Sequence, residues 1–260
     1  MKSYRLIMST LRKIYRYLLL ILLILIAIPI TIVFLRGTVP TNGLSSFIIT
    51  GWLGAVTRLL GLKIKTFGTP LKEKTLFVSN HISWLDILVL GHLTPVHFLS
   101  KHEVKTLPVL GWLATRAGTL YIKRGNKISA SDASSEITAA LKQRHNSLIF
   151  AEGTTTDGNI KKFHSRMMQS AIDAQAMVQP IAIFYPSLNP ETQKIELNPD
   201  TLFINDTSTR ESVNLIFRSS GINTEVHYLE PIDSTGKSRD EISQHAYDEV
   251  EEAIRLIKKH

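Results

Sequence analysis

His81 and Asp86, five residues apart, are the first place in this chain where two side chains could do chemistry together. An imidazole oriented by a carboxylate can take the proton from an alcohol. Along a regular helix a separation of five leaves two side chains about 140° apart, so the pair meets only if a helix begins between them. Ser83 and Asp86, three residues apart, have the types of an N-cap and its N3 partner. The spacing therefore predicts a helix from Ser83 to about His92, with His81 in the loop before it and Asp86 reaching back from the first turn. A plainer role also fits these residues: Asp86 closing the capping box, and His81 an ordinary loop histidine.

Two further stretches carry groups that such a base would need. Leu148 to Ala151 reads as a buried strand, and Glu152-Gly153-Thr154 follows it. In open α/β sheets, ligands gather at the carboxyl ends of strands. Glycine there lets a backbone N–H approach an oxyanion or phosphate, and threonine adds a hydroxyl. Thr119 to Ile122 reads as another strand, ending in Lys123-Arg124; arginine suits a two-pronged phosphate contact. Each has an ordinary alternative, a polar turn in one case and solvated strand-end cations in the other.

Taken together and in order, these stretches resemble the glycerophospholipid acyltransferase family, whose best-known members acylate 1-acylglycerol-3-phosphate. Its N-H-x-x-x-x-D block is matched by Asn80-His81 and Asp86, its glycine–strand–arginine block by Gly118 to Arg124, and its E-G-T block by Glu152-Gly153-Thr154. Its late proline-containing strand is matched by Val178-Gln179-Pro180-Ile181. Lys101 and Pro108 to Gly111 fall where the family has a lysine and a P-x-x-G segment. The resemblance covers roughly Lys63 to Pro231.

It implies an acyltransferase that moves a fatty acyl chain from acyl-CoA or acyl carrier protein to the hydroxyl of a lysolipid, 1-acylglycerol-3-phosphate first. The acyl donor is a co-substrate, and no other cofactor is implied. His81 and Asp86 would be catalytic, and Arg124, Lys123, Lys101, Glu152, Gly153 and Thr154 would bind substrate. One position departs. The family's third block commonly continues with an arginine that helps hold the acceptor phosphate, and here it is Thr155. The run Thr-Thr-Asp-Gly looks like a subgroup that includes lyso-ornithine lipid acyltransferases. A lipid-surface hydrolase, with the same pair acting on water, and a non-catalytic scaffold are the rival readings.

The elements that must position these residues follow an α/β pattern from Lys63 onward: a mixed sheet flanked by helices. Apolar runs suited to buried strands are Thr75–Val78, Val96–Leu99, Thr119–Ile122, Leu148–Ala151, Ile181–Tyr185 and Glu225–Leu229. Helical patterns fill Leu107–Thr115, Ser131–His145, Phe163–Met177 and Thr207–Phe217. A last helix is announced by Ser238 and Glu241 as a capping box, with a stripe of Ile242, Tyr247, Val250, Ile254 and Ile257. The polar stretch from Pro186 to Asp206 reads as a loop excursion.

Residues 1–62 form a separate region, leaving 63–260 as the catalytic domain. Ten lysines and arginines precede the first acidic residue, Glu73, whereas the rest of the chain holds 20 basic against 22 acidic residues. The basic excess thus belongs to the N-terminal arm, which fits an anionic lipid surface and not nucleic acid. Tyr17 to Leu35 is uncharged over 19 residues, close as a helix to a bilayer's hydrocarbon thickness of about 30 Å. Leu44 to Leu62 is a weaker apolar stretch interrupted by Arg58. A hairpin, a monotopic insertion or a simple one-pass anchor would each satisfy this pattern. Because acyl-CoA and acyl carrier protein are cytosolic, the expectation is an inner-membrane enzyme with its site on the cytoplasmic face.

Other chemistries are disfavoured. The chain has no cysteine, which removes disulfides, thiolate metal sites and an acyl-cysteine intermediate. His92, His97 and His102 recur every five residues, a spacing that shares no face of a helix or strand, so no metal site is expected. No G-x-S-x-G elbow, P-loop or G-x-G-x-x-G occurs.

Overall fold

The computed structural model describes residues 2–35, 43–123, 127–204 and 208–259. Two apolar helices lead the chain, α1 (Lys2–Phe34) and α2 (Gly43–Leu60). Strands and helices then alternate: β1 (Leu62–Phe67), β2 (Thr75–Ser79), α3 (Leu85–Leu93), β3 (His97–Lys101), α4 (His102–Lys105), α5 (Leu110–Arg116), β4 (Leu120–Ile122), α6 (Lys127–Lys142) and β5 (Ser147–Phe150). After a long loop and a 3-10 turn come α7 (Gln169–Ala174), β6 (Met177–Phe184), β7 (Pro186–Leu188), β8 (Ile195–Leu197), α8 (Thr209–Arg218), β9 (Ile222–Tyr228), β10 (Ile232–Asp233) and α9 (Arg239–Ile257).

The sheet runs β1-β9-β6-β2-β5-β3-β4, with β10 paired to β6. The pairs β2–β5, β2–β6, β3–β5 and β3–β4 are parallel, and β9 runs antiparallel to β6. Parallel strands need crossovers: α3 leads from β2 to β3, α4 and α5 from β3 to its neighbour β4, and α6 from β4 to β5. Every residue of β2 is buried, and all of β6 after Met177. That is why these strands read as unbroken apolar runs: both faces of a central parallel sheet are covered. α9 covers β6, and α6 lies on β4 and β5. The Ser238–Glu241 capping box forms in full, and Ile242, Val250, Ile254 and Ile257 are buried beneath it.

Some elements differ from expectation, for local reasons. β1 adds an edge strand where none was predicted. It pairs only with β9 and exposes Lys63 and Lys65, so its alternation was hidden behind the apolar run that ends at Leu62. The helix expected from Phe163 to Met177 starts as a 3-10 turn at Ser165 and stops at Gln175, whose φ of 49° is left-handed. Met177 then opens β6. The excursion after Pro186 contains the β7–β8 hairpin; Asp206, its expected end, lies outside the described residues.

α1 and α2 are each long and apolar enough to cross a membrane by length and composition. They do not stand away from the sheet. α1 meets α8 around Arg12 to Tyr17, near its middle, and α5 near its end. Arg16, buried, donates to the carbonyls of Ile216, Phe217 and Ser219 at 3.0, 3.3 and 2.9 Å, and Arg12 donates to Arg218 O at 2.9 Å. These are the carbonyls a helix end leaves without intrahelical partners, and the guanidinium charge also complements the α8 dipole. Gly61 makes room: a Cβ there would stand 2.6 Å from the Arg16 guanidinium. At the end of α1 Arg116 donates to Leu35 O at 3.4 Å. Arg12 and Arg16, counted among the cations facing lipid, thus turn into the domain. The outward face of α1 is left apolar, with Leu18, Leu22, Leu25 and Val33 exposed.

Replacing Arg16 with alanine removes the Arg16 donor from three carbonyls, of which Ile216 O keeps the Ser219 N–H, and should lower stability by about 2–3 kcal/mol. Thermal unfolding in detergent, compared with an exposed-arginine control such as Arg239→Ala, measures it; equal melting temperatures would contradict this role.

Candidate active site

The carboxyl ends of four neighbouring parallel strands, β2, β5, β3 and β4, deliver His81, Glu152, Lys101 and Lys123 to one edge of the sheet. Register does this directly: Ser79 at the end of β2 lies opposite Phe150 at the end of β5. The loops that follow therefore start side by side. Asn80 fixes the third neighbour. Its side-chain amide donates to Ile183 O at 3.0 Å and accepts from Ile183 N–H at 2.9 Å, tying the end of β2 to β6.

His81 Nδ1 lies 2.7 Å from Asp86 Oδ2. That same oxygen accepts from the N–H groups of Ile82 at 2.7 Å and Ser83 at 3.0 Å, and Oδ1 accepts from the Tyr185 hydroxyl at 2.5 Å. The Asp86 carboxylate is fully buried and fully met. An ionised carboxylate only accepts, so neutral His81 must carry its proton on Nδ1, and Nε2 is left as the basic nitrogen. The imidazole stacks on Phe150, ring centres 3.8 Å apart, and keeps 15% of its side chain exposed, at the cleft. A base held in one tautomer at the edge of a cleft can deprotonate an alcohol or a water.

The expected capping box is half present. Asp86 accepts from the Ser83 N–H, but the Ser83 hydroxyl caps nothing and has no hydrogen-bond partner among the described residues. α3 begins at Leu85 after Trp84, and Ser83 O accepts from Asp86 N–H instead. The pair meets because the main chain from His81 to Ser83 wraps the carboxylate, not because serine caps the helix.

Glu152 was expected to bind the acceptor, and its carboxylate is instead spent on the main chain. Oε1 accepts from His81 N–H at 2.8 Å and Oε2 from Lys161 N–H at 2.7 Å, with the residue 3% exposed. Thr156 N–H returns a bond to His81 O at 2.8 Å. The loop after β5 thus grips both polar groups of the His81 backbone. Burial pushes the Glu152 carboxyl above the usual glutamate range, against the pull of its two N–H donors. Gly153 turns that loop at φ 68°, where a Cβ would crowd His164 at 3.3 Å. The Thr155 hydroxyl donates to Phe203 O, and both residues line the cleft.

A cleft of about 900 Å³ opens beside His81, lined by Trp84, Phe150, Gly153, Thr154 and Met167 among others. Lys101, Lys123, His164 and Arg166 line it as well, so its charge suits an anion. Arg124 lies outside the described residues. The 3-10 turn brings in Arg166, which sequence reading left inside a predicted helix. Tyr185 was likewise read only as the end of an apolar strand; a strand tyrosine in a polar neighbourhood was its one signal. Among the described residues no three His, Cys, Asp or Glu gather as metal ligands. His92 and His97 turn their Nδ1 atoms to different carbonyls, Thr50 and Gly118. Ile87 and Phe98 are shared with an apolar cavity of about 420 Å³ between α1, α2, α3 and α5.

A family profile described as acyltransferase matches residues 63–184. A lyso-ornithine lipid O-acyltransferase from Pseudomonas aeruginosa is 37% identical over 207 residues, covering 79% of this chain and 76% of that protein. A 1-acyl-sn-glycerol-3-phosphate acyltransferase from Neisseria gonorrhoeae is 34% identical over 137 residues, 51% of this chain and 52% of its own. The crystal structure of the 1-acyl-sn-glycerophosphate acyltransferase PlsC from Thermotoga maritima superposes with a TM-score of 0.71 at 18% identity, covering 98% of both chains. The whole fold, α1 and α2 included, is that fold.

Two predictions follow from this geometry. Burial and the Asp86 carboxylate hold the Tyr185 phenol well above its usual value, so it stays a donor at any working pH. Tyr185→Phe removes one of the four donors to a buried carboxylate and should cost turnover about tenfold with KM little changed; an unchanged kcat would contradict it. Because the folded carboxyl of Glu152 is raised, the folded state holds the extra proton between its unfolded and folded values. Its stability contribution is therefore largest at low pH and is lost as pH rises through the folded value. Glu152→Gln turns an NH2 towards one of the two backbone N–H donors, so at neutral pH it should cost about 1–3 kcal/mol of stability and cut turnover by roughly tenfold or more; unchanged melting and turnover would contradict this role.

Proposed function

The chain belongs to the acyltransferase family, and from that premise we propose that it transfers a fatty acyl group from an acyl-CoA or acyl-carrier-protein thioester to the free hydroxyl of a lyso-ornithine lipid. His81 Nε2 takes the hydroxyl proton as the oxygen attacks the thioester carbonyl. Asp86 remains ionised and stabilises the imidazolium that forms. Among the described residues the N–H groups of Thr154 and Thr155 have no protein acceptor, which leaves them available to the tetrahedral oxyanion. The intermediate collapses with loss of the thiolate, which takes the proton back from His81. The products are an ester and a free thiol. The apolar cavity behind Ile87 and Phe98 takes the acyl chain.

The observation that carries the acceptor assignment is Thr155. Its neutral hydroxyl is bonded to Phe203 O at the position where the family has a phosphate-directed arginine. An ornithine headgroup has one carboxylate and one ammonium, so it demands less cationic charge than a phosphomonoester. Arg166 and Lys123 then supply the carboxylate contacts. The second reading, 1-acylglycerol-3-phosphate, draws on the same cations of the cleft, Lys101, Lys123 and Arg166. The contacts of α1 with α8 near its middle and with α5 at its end support a monotopic arrangement, in which α1 and α2 lie in one leaflet and the cleft stays on the cytoplasmic side with the soluble donor.

Labelled acyl-CoA and acyl carrier protein assayed against lyso-ornithine lipid, lysophosphatidate and other lysophospholipids decide the acceptor. The expected result is a kcat/KM for lyso-ornithine lipid at least about tenfold above that for lysophosphatidate, the reverse order overturning the assignment. His81→Ala should lose at least about a thousandfold in kcat while still folding; native-rate transfer by that variant would remove His81 as the base.

A further inference from the structure

The segment between α4 and α5 puts three large apolar side chains into solvent: Leu107 is 48% exposed, Val109 43% and Leu110 48%. Its backbone is built to hold them there. Leu110 N–H donates to Pro108 O at 2.5 Å, closing a γ-turn around Val109 at φ 59° and ψ −56°. This is the strained sense of that turn, at a β-branched residue that rarely adopts positive φ. Gly111 lets the chain double back, because a Cβ there would meet Lys105 O at 2.3 Å. Such strain persists only where the surroundings over-determine it and clusters at working sites. The catalytic pair makes no use of this knuckle.

Its neighbours say what covers it. One face of α5, Leu110, Leu113, Ala114 and Ala117, lines the apolar cavity together with Ala27, Thr31 and Leu35 of the first helical segment. α5 also packs on the end of α1, where Val33 and Phe34 are exposed, so the knuckle adjoins the outward face of α1 instead of forming an isolated patch. Lys101 and Lys105 flank it, and Lys105 Nζ sits 5.6 Å from the Tyr121 ring centre. An apolar tip between lysines and an aromatic residue is the composition of a bilayer interface, with the tip among acyl chains and the cations at headgroup level.

We propose that Leu107-Pro108-Val109-Leu110 is a third membrane-inserting element, entering the same leaflet as α1 and α2 with Lys105 on the phosphates. The bilayer then reaches the rim of the apolar cavity at Leu110, so that a lipid chain can enter sideways between α1 and α5. This does not rest on the identity of the acceptor.

The chain's lack of cysteine makes the test direct. Single cysteines at Leu107 and Leu110 are labelled with the fluorophore NBD, with Leu18 on the outer face of α1 and Glu191 on the β7–β8 hairpin as comparators. Vesicles of phosphatidylethanolamine and phosphatidylglycerol are added, with and without brominated acyl chains. The expected result is a blue shift and bromine quenching at 107 and 110 like those at 18, with neither at 191. Emission at 107 and 110 that stays like that at 191 overturns the proposal, as does a shift that needs only raised protein concentration and no vesicles, which would mark a contact between copies. Leu107→Ser with Leu110→Ser should also weaken vesicle partitioning by at least about tenfold at unchanged melting temperature; unchanged partitioning counts against insertion.

Discussion

A carboxylate with no exposure to water must be met by donors, and the site is arranged around meeting that of Asp86. Without compensation, burying it would push it towards its neutral acid, which could no longer stabilise an imidazolium. Its four donors come from three places: the His81 ring, the Ile82–Ser83 main chain and Tyr185 at the end of β6. They satisfy the charge and fix the direction of the imidazole in one step. Each must sit within hydrogen-bond reach of a side chain on the first turn of α3, which leaves little freedom in how β2 passes into that helix. Asn80 removes more of it, binding β2 to the strand that carries Tyr185.

The same constraint explains the loop after β5. A histidine poised on a short connection would drift unless its own main chain were held, and its flanking residues are occupied with Asp86. Glu152 and Thr156 hold the N–H and the carbonyl from the neighbouring parallel strand. The costly buried charge of Glu152 is thus directed at position, while the contacts to a ligand fall to the exposed cations around the cleft. Trp84 extends the frame outward, donating to Ser212 of α8 at 3.0 Å. Because Arg16 closes the far end of that helix, the membrane-facing α1 and the catalytic loop share one rigid support.

How much of this could be read beforehand depended on whether a residue's type announced its task. Central strands, the last helix with its cap, and the meeting of His81 with Asp86 follow from periodicity and side-chain chemistry. The mechanism of that meeting did not: Ser83 has the type of a cap, but the backbone took its place. Tyr185 and Arg166 were hidden for opposite reasons, one as an aromatic residue in a strand that needs aromatics, the other as a cation in a segment with helical spacing. Arg16 was misread because charge near an apolar run suggests lipid, and only tertiary structure brings a helix end 200 residues away to meet it. The edge strand β1 lay beneath an apolar run whose end no sequence signal marked.

Position 155 can change its side chain without altering the frame. An arginine there would need its guanidinium free in the cleft, since a desolvated one without partners is costly. A threonine can instead bond its hydroxyl to Phe203 O and leave the space near the loop uncharged. None of the contacts that hold His81 depends on this choice, because Glu152 and Thr156 act through the main chain and Gly153 through its φ. The remaining cations stand on separate elements: Lys101 and Lys123 at strand ends, Arg166 on the 3-10 turn. The cationic charge at the cleft is thus spread over three elements and not gathered at one point.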